Sequence, residues 1–407
     1  MNLAEKVLCR TVQAVFRAAM PLLPYRKPAL LDSVEAVPNL LLGLGVDRVL
    51  LVTDRGLCAA GLTGPLENAL HDAGIACTVF ADTRANPTVQ NAEDAFALYQ
   101  ANKCQALVAL GGGSSMDCAK AVGARAAFPH KTLDRMKGLL RVWKPLPTLI
   151  AIPTTAGTGS ETTITAVITD SVKKHKYTMN NFSMIPRYAV LDPEMTVSLP
   201  ASLTATTGMD ALTHAAEAYI GRSTTAETRA LALEATTLIF NHLEDAVKDG
   251  TDRAARAGML EAAFKAGIAF SKSYVGYVHA VAHSLGGQYN IPHGLANAVL
   301  LPYVLESYGH AVDRPLHDLA VAAGVARPDD ADDAAARRFI DAVRTLNRRL
   351  NIPETLQGIR EEDIPSMARH AAQEANPLYP VPVLMDAKQL ELFYRQAAAP
   401  TKQEAAG

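Results

Sequence analysis

Three histidines lie close together in the stretch "VHAVAHSLGGQYNIPHG". His279 and His283 are four residues apart in a helical pattern, so their side chains share one face of the helix. Gly286 and Gly287 are expected to end that helix, and His293 follows at the start of the next one. The chain can therefore turn back and bring the third imidazole close to the first two. Because imidazole nitrogens are ligands of transition metals, the stretch indicates a metal site.

A second pair of ligand-type residues lies upstream, in "TTGMDALTHAAEAYIG". Asp210 and His214 are also four residues apart on one helix face. Three imidazoles and a carboxylate suit Fe²⁺ or Zn²⁺ rather than Ca²⁺ or Mg²⁺, which prefer oxygen ligands. The alternative is that these polar side chains are buried in hydrogen bonds between helices. The spacing leaves four histidines for at most three places beside Asp210, and it does not say which one is not a ligand.

A glycine-rich turn follows an apolar run in "ALVALGGGSSMDCAKAVG". Glycines let backbone N–H groups approach an anion closely, and the start of the following helix adds unpaired N–H donors and a partial positive charge. Gly112, Gly113 and Ser114 are therefore predicted to hold a pyrophosphate. The alternative is a tight strand-to-helix turn without a ligand, because this short motif is not specific.

A second polar loop ends another apolar run, in "PTTAGTGSE" from Pro153 to Glu161. Two such loops at strand ends suit one dinucleotide, since ligands of open α/β sheets bind beyond the carboxyl ends of the strands. Asp54 ends the run "RVLLVTD" and is a candidate acceptor for a ribose hydroxyl. Its charge would repel a 2'-phosphate, which favours NAD over NADP. The alternative for Asp54 is a helix cap before "RGLCAAGL".

The elements that must position these residues change in kind along the chain. From about residue 48, four apolar runs, "RVLLVTD", "ACTVFAD", "ALVALGGG" and "PTLIAIPTTAGTGSE", alternate with helical patterns, which predicts a parallel sheet. After Pro200 the sequence is rich in alanine and leucine with helical periodicity. We therefore predict an α/β dinucleotide-binding domain at residues 1–199 and an all-α, metal-binding and catalytic domain at residues 200–407.

Composition sets further limits. The 407 residues are 49% apolar with a formal net charge of -2, which is typical of a soluble globular protein and gives no electrostatic argument for nucleic acid. No apolar run reaches the roughly 20 residues that span a membrane. The five cysteines form no CxxC pair and suggest reduced thiols of a cytoplasmic protein. The basic first helix, with Lys6, Arg10 and Arg17, is expected to dock with a solvated basic face, the alternative being a membrane-surface or targeting helix.

These motifs together resemble the iron-containing (group III) alcohol dehydrogenases. The landmarks stand in order as "VTD", "NPT", "GGGSSMDCAK", "PTTAGTGSE", "LDP", "GMDALTHAAEAY" and "HAVAHSLGGQYNIPHGLANAVLLP". The likeness runs from about Lys27 to at least Pro302. It implies a dehydroquinate synthase-like architecture, in which an N-terminal α/β domain with a parallel sheet precedes an all-α C-terminal domain.

The resemblance also assigns residues. It implies a metal held by Asp210, His214, His279 and His293, with His283 beside the nicotinamide as a proton-relay or positioning residue. It places Asp54 at the adenosine ribose and Gly112, Gly113 and Ser114 at the pyrophosphate. The other cofactor contacts it implies are Asn86, Asp117, Thr154, Thr155, Thr158 and Lys176.

The function that the resemblance implies is a metal-dependent alcohol dehydrogenase, with reversible hydride transfer between a primary or secondary alcohol and NAD. Fe²⁺ is the expected metal and Zn²⁺ the alternative, and the protein is expected to form a homo-oligomer, a dimer or larger. One rival is a non-redox cyclase or lyase that uses NAD and a metal on the dehydroquinate synthase-like fold. The others are a glycerol dehydrogenase-like polyol oxidoreductase and an interaction protein that uses the basic N-terminal helix.

Overall fold

The computed structural model describes residues 1–19, 24–171 and 175–399. They form two compact units, of which one holds residues 24–199 and 251–260 and the other holds the remaining described residues. The strands are β1 (Ala29–Leu31), β2 (Arg48–Val52), β3 (Ala76–Phe80), β4 (Ala106–Gly111), β5 (Gly138–Leu139), β6 (Thr148–Pro153), β7 (Thr165–Asp170), β8 (His175–Asn180) and β9 (Tyr188–Val190).

The helices are α1 (Leu3–Ala19), α2 (Ala36–Gly43), α3 (Arg55–Ala59), α4 (Gly64–Asp72), α5 (Val89–Ala101), α6 (Gly113–Ala127), α7 (Glu194–Val197), α8 (Ala201–Ile220), α9 (Ala226–Lys248), α10 (Arg253–Ser273), α11 (Tyr277–Tyr289), α12 (His293–Ser307), α13 (Asp313–Ala322), α14 (Asp332–Arg349), α15 (Ile364–Ala375) and α16 (Ala387–Ala397). Compared with the division predicted from the sequence, α1 lies with the helical unit and residues 251–260 lie with the α/β unit.

A six-stranded parallel sheet forms the centre of the α/β unit, in the order β1-β9-β6-β4-β2-β3. Successive residues of each strand point to opposite faces. Leu50 and Val52 pack on the side of α5 and α6, whereas Val49 and Leu51 pack on the side of α2 and α4. The four predicted strands and the parallel pairing are confirmed. The strand β1 was not predicted, so the run that ends before Asp54 is the second strand of the chain.

A small second sheet in the same unit has the order β5-β8-β7. β7 and β8 are antiparallel, whereas the two-residue β5 pairs with β8 in the parallel direction. This sheet was not predicted, because its strands are short or carry polar residues on both faces and so lack a clear apolar pattern.

Helices alone make up the other unit within the described residues, as predicted for the sequence after Pro200. The helix α8 lies at its centre, with most of its residues buried. Alanine and glycine allow the neighbouring helices to approach closely. A Cβ atom at Gly294 would collide with the backbone carbonyl of Thr206, so only glycine lets the first turn of α12 lie this close to α8.

The helix α11 ends later than predicted. It continues through Gly286 and Gly287 to Tyr289, and Asn290 ends it with a positive φ of 56°. Asparagine is one of the few residues that adopt this left-handed conformation readily, so it replaces glycine at the end of the helix. Two residues then lead to His293 at the start of α12.

The helix α1 docks with a mixed face, on which Cys9 and Gln13 are buried and Phe16 is half-buried. Gln13 is buried, and Arg10 is half-buried and donates to backbone carbonyls, so the expected solvated basic face is only partly present. Leu3, Leu8 and Val15 are instead 78%, 60% and 65% exposed. No helix in the described part of the chain is long and apolar enough to cross a membrane.

Candidate metal and cofactor sites

Three of the four predicted metal ligands converge inside the helical unit. Oδ1 of Asp210 on α8 lies 3.5 Å from Nε2 of His293 on α12 and 3.8 Å from Nε2 of His279 on α11. One ligand atom from each side chain lies within 4.8 Å of the other two. Asp210 and His279 are buried, whereas the His293 side chain is 39% exposed. One side of the group is therefore accessible.

His214 lies beside this group, but it is not among the three side chains whose ligand atoms lie within 4.8 Å of one another. Its ring stacks on the His279 ring with centroids 4.5 Å apart, and on Phe270 with centroids 4.1 Å apart. His283 lies on the exposed side, where its ring stacks on His293 at 5.2 Å. The four histidines and Asp210 thus form one cluster, in which His214 and His283 flank the three converging ligands.

The three converging side chains fit a transition metal ion. Two ligand atoms that each lie about 2.1 Å from one ion are roughly 3.0 to 3.5 Å apart, and the two distances from Asp210 are 3.5 and 3.8 Å. One carboxylate with imidazole nitrogens is a donor set that suits Fe²⁺ and Zn²⁺. Burial, together with the neighbouring imidazoles of His214 and His293, holds the pKa of His279 well below its usual value, so its ring is neutral and able to bind a cation.

Glu217 is a functional candidate that the sequence analysis missed. Its carboxylate is buried and accepts hydrogen bonds from the backbone N–H groups of Gly276 and Val278, both at 2.8 Å. Its Oε2 atom also lies 2.6 Å from Nδ1 of His279. Burial raises the pKa of Glu217 to about 7. A helical signal was available, because Glu217 lies seven residues after Asp210 and so returns to the same face of α8.

Asn297 is a second residue that the analysis missed. Its Nδ2 atom lies 2.6 Å from Oδ1 of Asp210, 3.2 Å from Nε2 of His279 and 3.1 Å from Nε2 of His293. The amide therefore lies where the three ligand atoms converge and holds them in their present arrangement. Asn297 follows His293 by four residues on α12, which is the spacing that had identified the other pairs.

His283 is held by a residue far away in the sequence. Its Nδ1 atom lies 2.6 Å from Oε1 of Glu374, and the Tyr379 hydroxyl donates to the same oxygen at 2.7 Å. The Nδ1 atom is therefore occupied, and Nε2 is the ring nitrogen left for other partners. Nothing in the sequence pattern links residues that are 91 positions apart, so Glu374 could not have been predicted.

The predicted cofactor loops lie together at one edge of the parallel sheet. Gly112 and the start of α6 follow β4, and the loop of Thr154 to Glu161 follows the neighbouring β6. The Thr154 backbone N–H donates to the Gly111 carbonyl at 3.1 Å. A Cβ atom at Gly113 would lie 3.3 Å from the Thr158 side chain, which leaves little room for a larger residue, whereas Gly112 has ordinary space beside Thr155.

Two further predicted contacts reach the same loops. The Asn86 backbone N–H lies 3.3 Å from the Ser114 hydroxyl oxygen, and Lys176 Nζ donates to the Asn86 side chain at 2.9 Å. Asn86 has a φ of 59°, which asparagine tolerates. Asp54 follows β2, where the order of strands reverses between β2 and β4, the usual binding position of an open α/β sheet. Its Oδ1 atom accepts from the Leu57 N–H at 3.0 Å and caps α3.

The Asp117 carboxylate is hydrogen-bonded to other residues of the α/β unit. Its carboxylate accepts from the Ser160 hydroxyl and from the Val167 backbone N–H, each at 3.0 Å, and burial raises its pKa. Beside it, the fully buried Lys120 donates to oxygens of Ser160 and Thr163 at distances from 2.6 to 3.2 Å, and burial lowers its pKa to about 8. These contacts hold the loop after β6 in place, so the role of Asp117 is to stabilise that loop.

Known proteins with similar sequences match almost the whole chain. The family model described as iron-containing alcohol dehydrogenase matches residues 31–193, and the C-terminal model of the Fe-containing alcohol dehydrogenase family matches residues 204–398. The chain is 38% identical over 359 residues to a 1,3-propanediol dehydrogenase of Klebsiella pneumoniae, covering 87% of this chain and 92% of the relative.

Two further comparisons agree. The chain is 38% identical over 344 residues to an NAD-dependent methanol dehydrogenase of Bacillus methanolicus, covering 84% of this chain and 90% of that one. A crystal structure of a 1,3-propanediol oxidoreductase matches the fold with a TM-score of 0.88 at 35% identity, and covers 92% of this chain and 98% of that chain.

Proposed function

The chain belongs to the iron-containing alcohol dehydrogenase family, and we propose that its NAD-dependent reaction interconverts a small primary alcohol and the corresponding aldehyde. The reaction class is that of the family, a reversible hydride transfer between an alcohol and NAD. A small substrate is supported by the names of two relatives, which act on 1,3-propanediol and on methanol. Matches to alcohol dehydrogenase models over both parts of the chain speak against a non-redox cyclase.

We assign the metal ligands to Asp210, His279 and His293, with His214 as the fourth. The observation that carries this assignment is the convergence of one carboxylate oxygen and two Nε2 atoms within 4.8 Å. His214 is included because its ring stacks directly on His279. When bound there, Fe²⁺ would supply a Lewis acid that polarises the carbon–oxygen bond of the substrate.

The surrounding side chains hold protons at defined atoms. Glu217 accepts a hydrogen bond from Nδ1 of His279, which keeps the proton on that atom and leaves Nε2 as a ligand. Glu374 acts in the same way on Nδ1 of His283. We propose that Nε2 of His283 then exchanges the proton of the substrate hydroxyl, so that His283 is a catalytic residue rather than a ligand.

The NAD site is proposed at the loops that follow β2, β4 and β6. Backbone N–H groups at the start of α6 are oriented to bind the pyrophosphate, as at other helix N-termini. The contacts proposed for the rest of the cofactor are Asp54, Asn86, Thr154, Thr155, Thr158 and Lys176. Asp117 is assigned to support of the loop after β6 instead. The tight packing of Gly113 against Thr158 of the neighbouring loop supports a backbone-lined site.

We further propose that the protein acts in the cytoplasm as a homo-oligomer. Five cysteines without disulfides support a reducing compartment. The exposed apolar side chains Leu3, Leu8 and Val15 on α1 support contact with another copy, because large apolar groups are seldom this exposed together. Light scattering during gel filtration would give the number of subunits.

The function is tested by following absorbance at 340 nm with NAD and a panel of short, medium and branched alcohols. The protein is purified without oxygen, stripped with a chelator and refilled in parallel with Fe²⁺ or Zn²⁺. NADH formation that requires the metal is the expected result. If neither NADH formation from any alcohol nor NADH consumption with the matching aldehydes occurs at full metal occupancy, the proposed reaction is wrong.

A further inference from the structure

The helix α1 is fastened to a proline-rich stretch of the helical unit, which we call the proline segment (residues 376–385). The Arg10 guanidinium donates to the Val381 and Pro382 carbonyls, each at 2.8 Å. The Gln13 amide donates to the Tyr379 carbonyl at 2.7 Å and to the Pro377 carbonyl at 3.3 Å. Two side chains of α1 therefore satisfy four backbone oxygens of the proline segment.

The composition of the proline segment explains why it needs these donors. It contains three prolines, at positions 377, 380 and 382, and forms no helix or strand between α15 and α16. Its carbonyls therefore lack the regular backbone partners that helices and sheets provide, and buried carbonyls need donors. This accounts for the burial of the polar Gln13 side chain on the docked face of α1.

The proline segment carries the residues that hold His283. The Tyr379 carbonyl binds Gln13, while the hydroxyl of the same Tyr379 donates to Glu374 at 2.7 Å. Glu374 in turn lies 2.6 Å from Nδ1 of His283. A continuous series of hydrogen-bonded groups thus runs from Gln13 to the residue proposed to exchange the substrate proton.

Ring contacts form a second connection along the same path. The Phe16 ring of α1 packs edge-on against Tyr274 with centroids 5.0 Å apart, and Tyr274 lies 6.2 Å from Tyr379. Edge-on aromatic pairs at such distances are favourable beyond their burial. The backbone of Tyr379 is therefore held by Gln13 and its ring borders a group of aromatic side chains.

We propose that α1 is a positioning element for His283, acting through Tyr379 and Glu374. Because His283 is a catalytic residue only by our assignment, this inference rests on the proposed function. The helix α1 lies outside the two matched regions, 31–193 and 204–398, whereas the proline segment lies inside the second. The contacts of α1 with the proline segment therefore come from a helix that the family models do not cover.

The test removes the Gln13 donor while keeping the length of the side chain. In Gln13→Met, the Pro377 and Tyr379 carbonyls lose their side-chain donor, and Tyr379 keeps only the Val381 backbone N–H at 2.8 Å. The kcat for alcohol oxidation should then fall about tenfold, as a misplaced catalytic group costs at least this much. The KM for NAD and the metal content should not change, because neither site is contacted. Thr11→Ala is the control on the same helix, since the exposed Thr11 hydroxyl bonds only the Val7 carbonyl of α1, and it should match the wild type.

A double-mutant cycle decides whether Gln13 acts through Tyr379. Tyr379→Phe removes only the hydroxyl that reaches Glu374. If the inference is right, the double variant Gln13→Met, Tyr379→Phe is no slower than Tyr379→Phe alone. If the two substitutions lower kcat by factors that multiply in the double variant, Gln13 acts by another route and the inference is overturned. A Gln13→Met kcat equal to that of the wild type would overturn it too.

Hydrogen exchange supplies a readout that does not depend on activity. Backbone amides of residues 376–385 should exchange faster in Gln13→Met than in Thr11→Ala, and equal exchange in the two variants contradicts the inference. Arg10→Met serves as the second variant if Gln13→Met does not fold. A wild-type protein that is inactive with Fe²⁺ would overturn the proposed function first, whereas an active wild type with unaffected variants would overturn only the role of α1.

Discussion

Nδ1 of His279 lies 2.6 Å from Oε2 of Glu217, and both side chains are buried. The same carboxylate accepts two backbone N–H groups at the start of α11, so it is fixed independently of the histidine. A carboxylate that holds one nitrogen of an imidazole orients the other nitrogen toward a metal and increases its basicity. The helix α8 thus supplies both Asp210 and the group that orients the ligand of a different helix.

We expect Glu217→Gln to weaken metal binding by about 10- to 100-fold, which is typical when the partner of a histidine ligand is lost. The amide keeps the size of the side chain but no longer gives His279 a charged acceptor. Fe²⁺ or Zn²⁺ affinity is measured by competition with a chelator of known strength. Glu306→Gln is the control, because Glu306 pairs with Arg344 at the surface. Equal affinity in Glu217→Gln and the wild type would show that the pair is only structural.

The two histidines of "HAVAH" should respond differently to replacement. His279→Ala is expected to remove the metal and nearly all activity, because its Nε2 is one of the three converging ligand atoms. His283→Ala should keep the metal and lower kcat, because its nearest polar partner is Glu374. Metal content by elemental analysis, alongside kcat, separates the two. If His283→Ala loses metal as completely as His279→Ala, the assignment of ligands is wrong.

Much of the fold follows from patterns that local physics makes visible. β2, β3, β4 and β6 are short apolar runs that end in polar or glycine residues, a pattern that is typical of buried parallel strands. β1, β5 and β9 are too short for such a pattern, and β7 and β8 carry polar residues on both faces. The end of α11 was misplaced because glycine was expected in the left-handed position that Asn290 occupies.

The residues of the site likewise fall into those that a sequence pattern indicates and those that it does not. Four-residue spacing and a turn pointed to a cluster of five candidates, Asp210, His214, His279, His283 and His293, and the family resemblance chose among them. Glu217, seven residues after Asp210, and Asn297, four after His293, carry comparable helical signals. Glu374 and Tyr379 carry no such signal, since only tertiary packing brings α15 and the proline segment to His283. Likewise, the polar contacts of α1 could not be read from its amphipathic pattern, because that pattern does not reveal unpaired carbonyls elsewhere.

Asp54→Ser separates the two interpretations of Asp54. Serine is also a good helix cap, so the hydrogen bond to the Leu57 N–H and the stability of α3 should be kept. The charge is lost, however, and if Asp54 faces the adenosine ribose, the KM for NADP should fall about tenfold or more relative to that for NAD, because like charges repel. Asp47→Asn is the control, since this exposed carboxylate pairs with Arg48 at the opposite end of β2. An unchanged ratio of the two KM values would leave Asp54 as a cap only.

His317 provides a prediction about stability at different pH values. Its side chain is 2% exposed, with Nδ1 2.5 Å from Oδ1 of Asp332 and Nε2 3.0 Å from the Arg327 carbonyl. Both partners are acceptors, so the ring satisfies both only when each nitrogen carries a proton. The hydrogen bond to Asp332, followed by that to the Arg327 carbonyl, raises the pKa of His317.

Because the folded state keeps this proton to a higher pH than the unfolded chain does, the stabilisation is fully present below about pH 6.5. It is lost as the pH rises through the raised pKa of the folded protein. We expect His317→Gln to cost about 1 kcal/mol at pH 6 and less at pH 9, measured by urea unfolding of both proteins. His310→Gln is the control, because the His310 side chain is 90% exposed although it also pairs with an aspartate, Asp313. A cost for His317→Gln that is equal at both pH values would show that the ring is neutral in the folded protein.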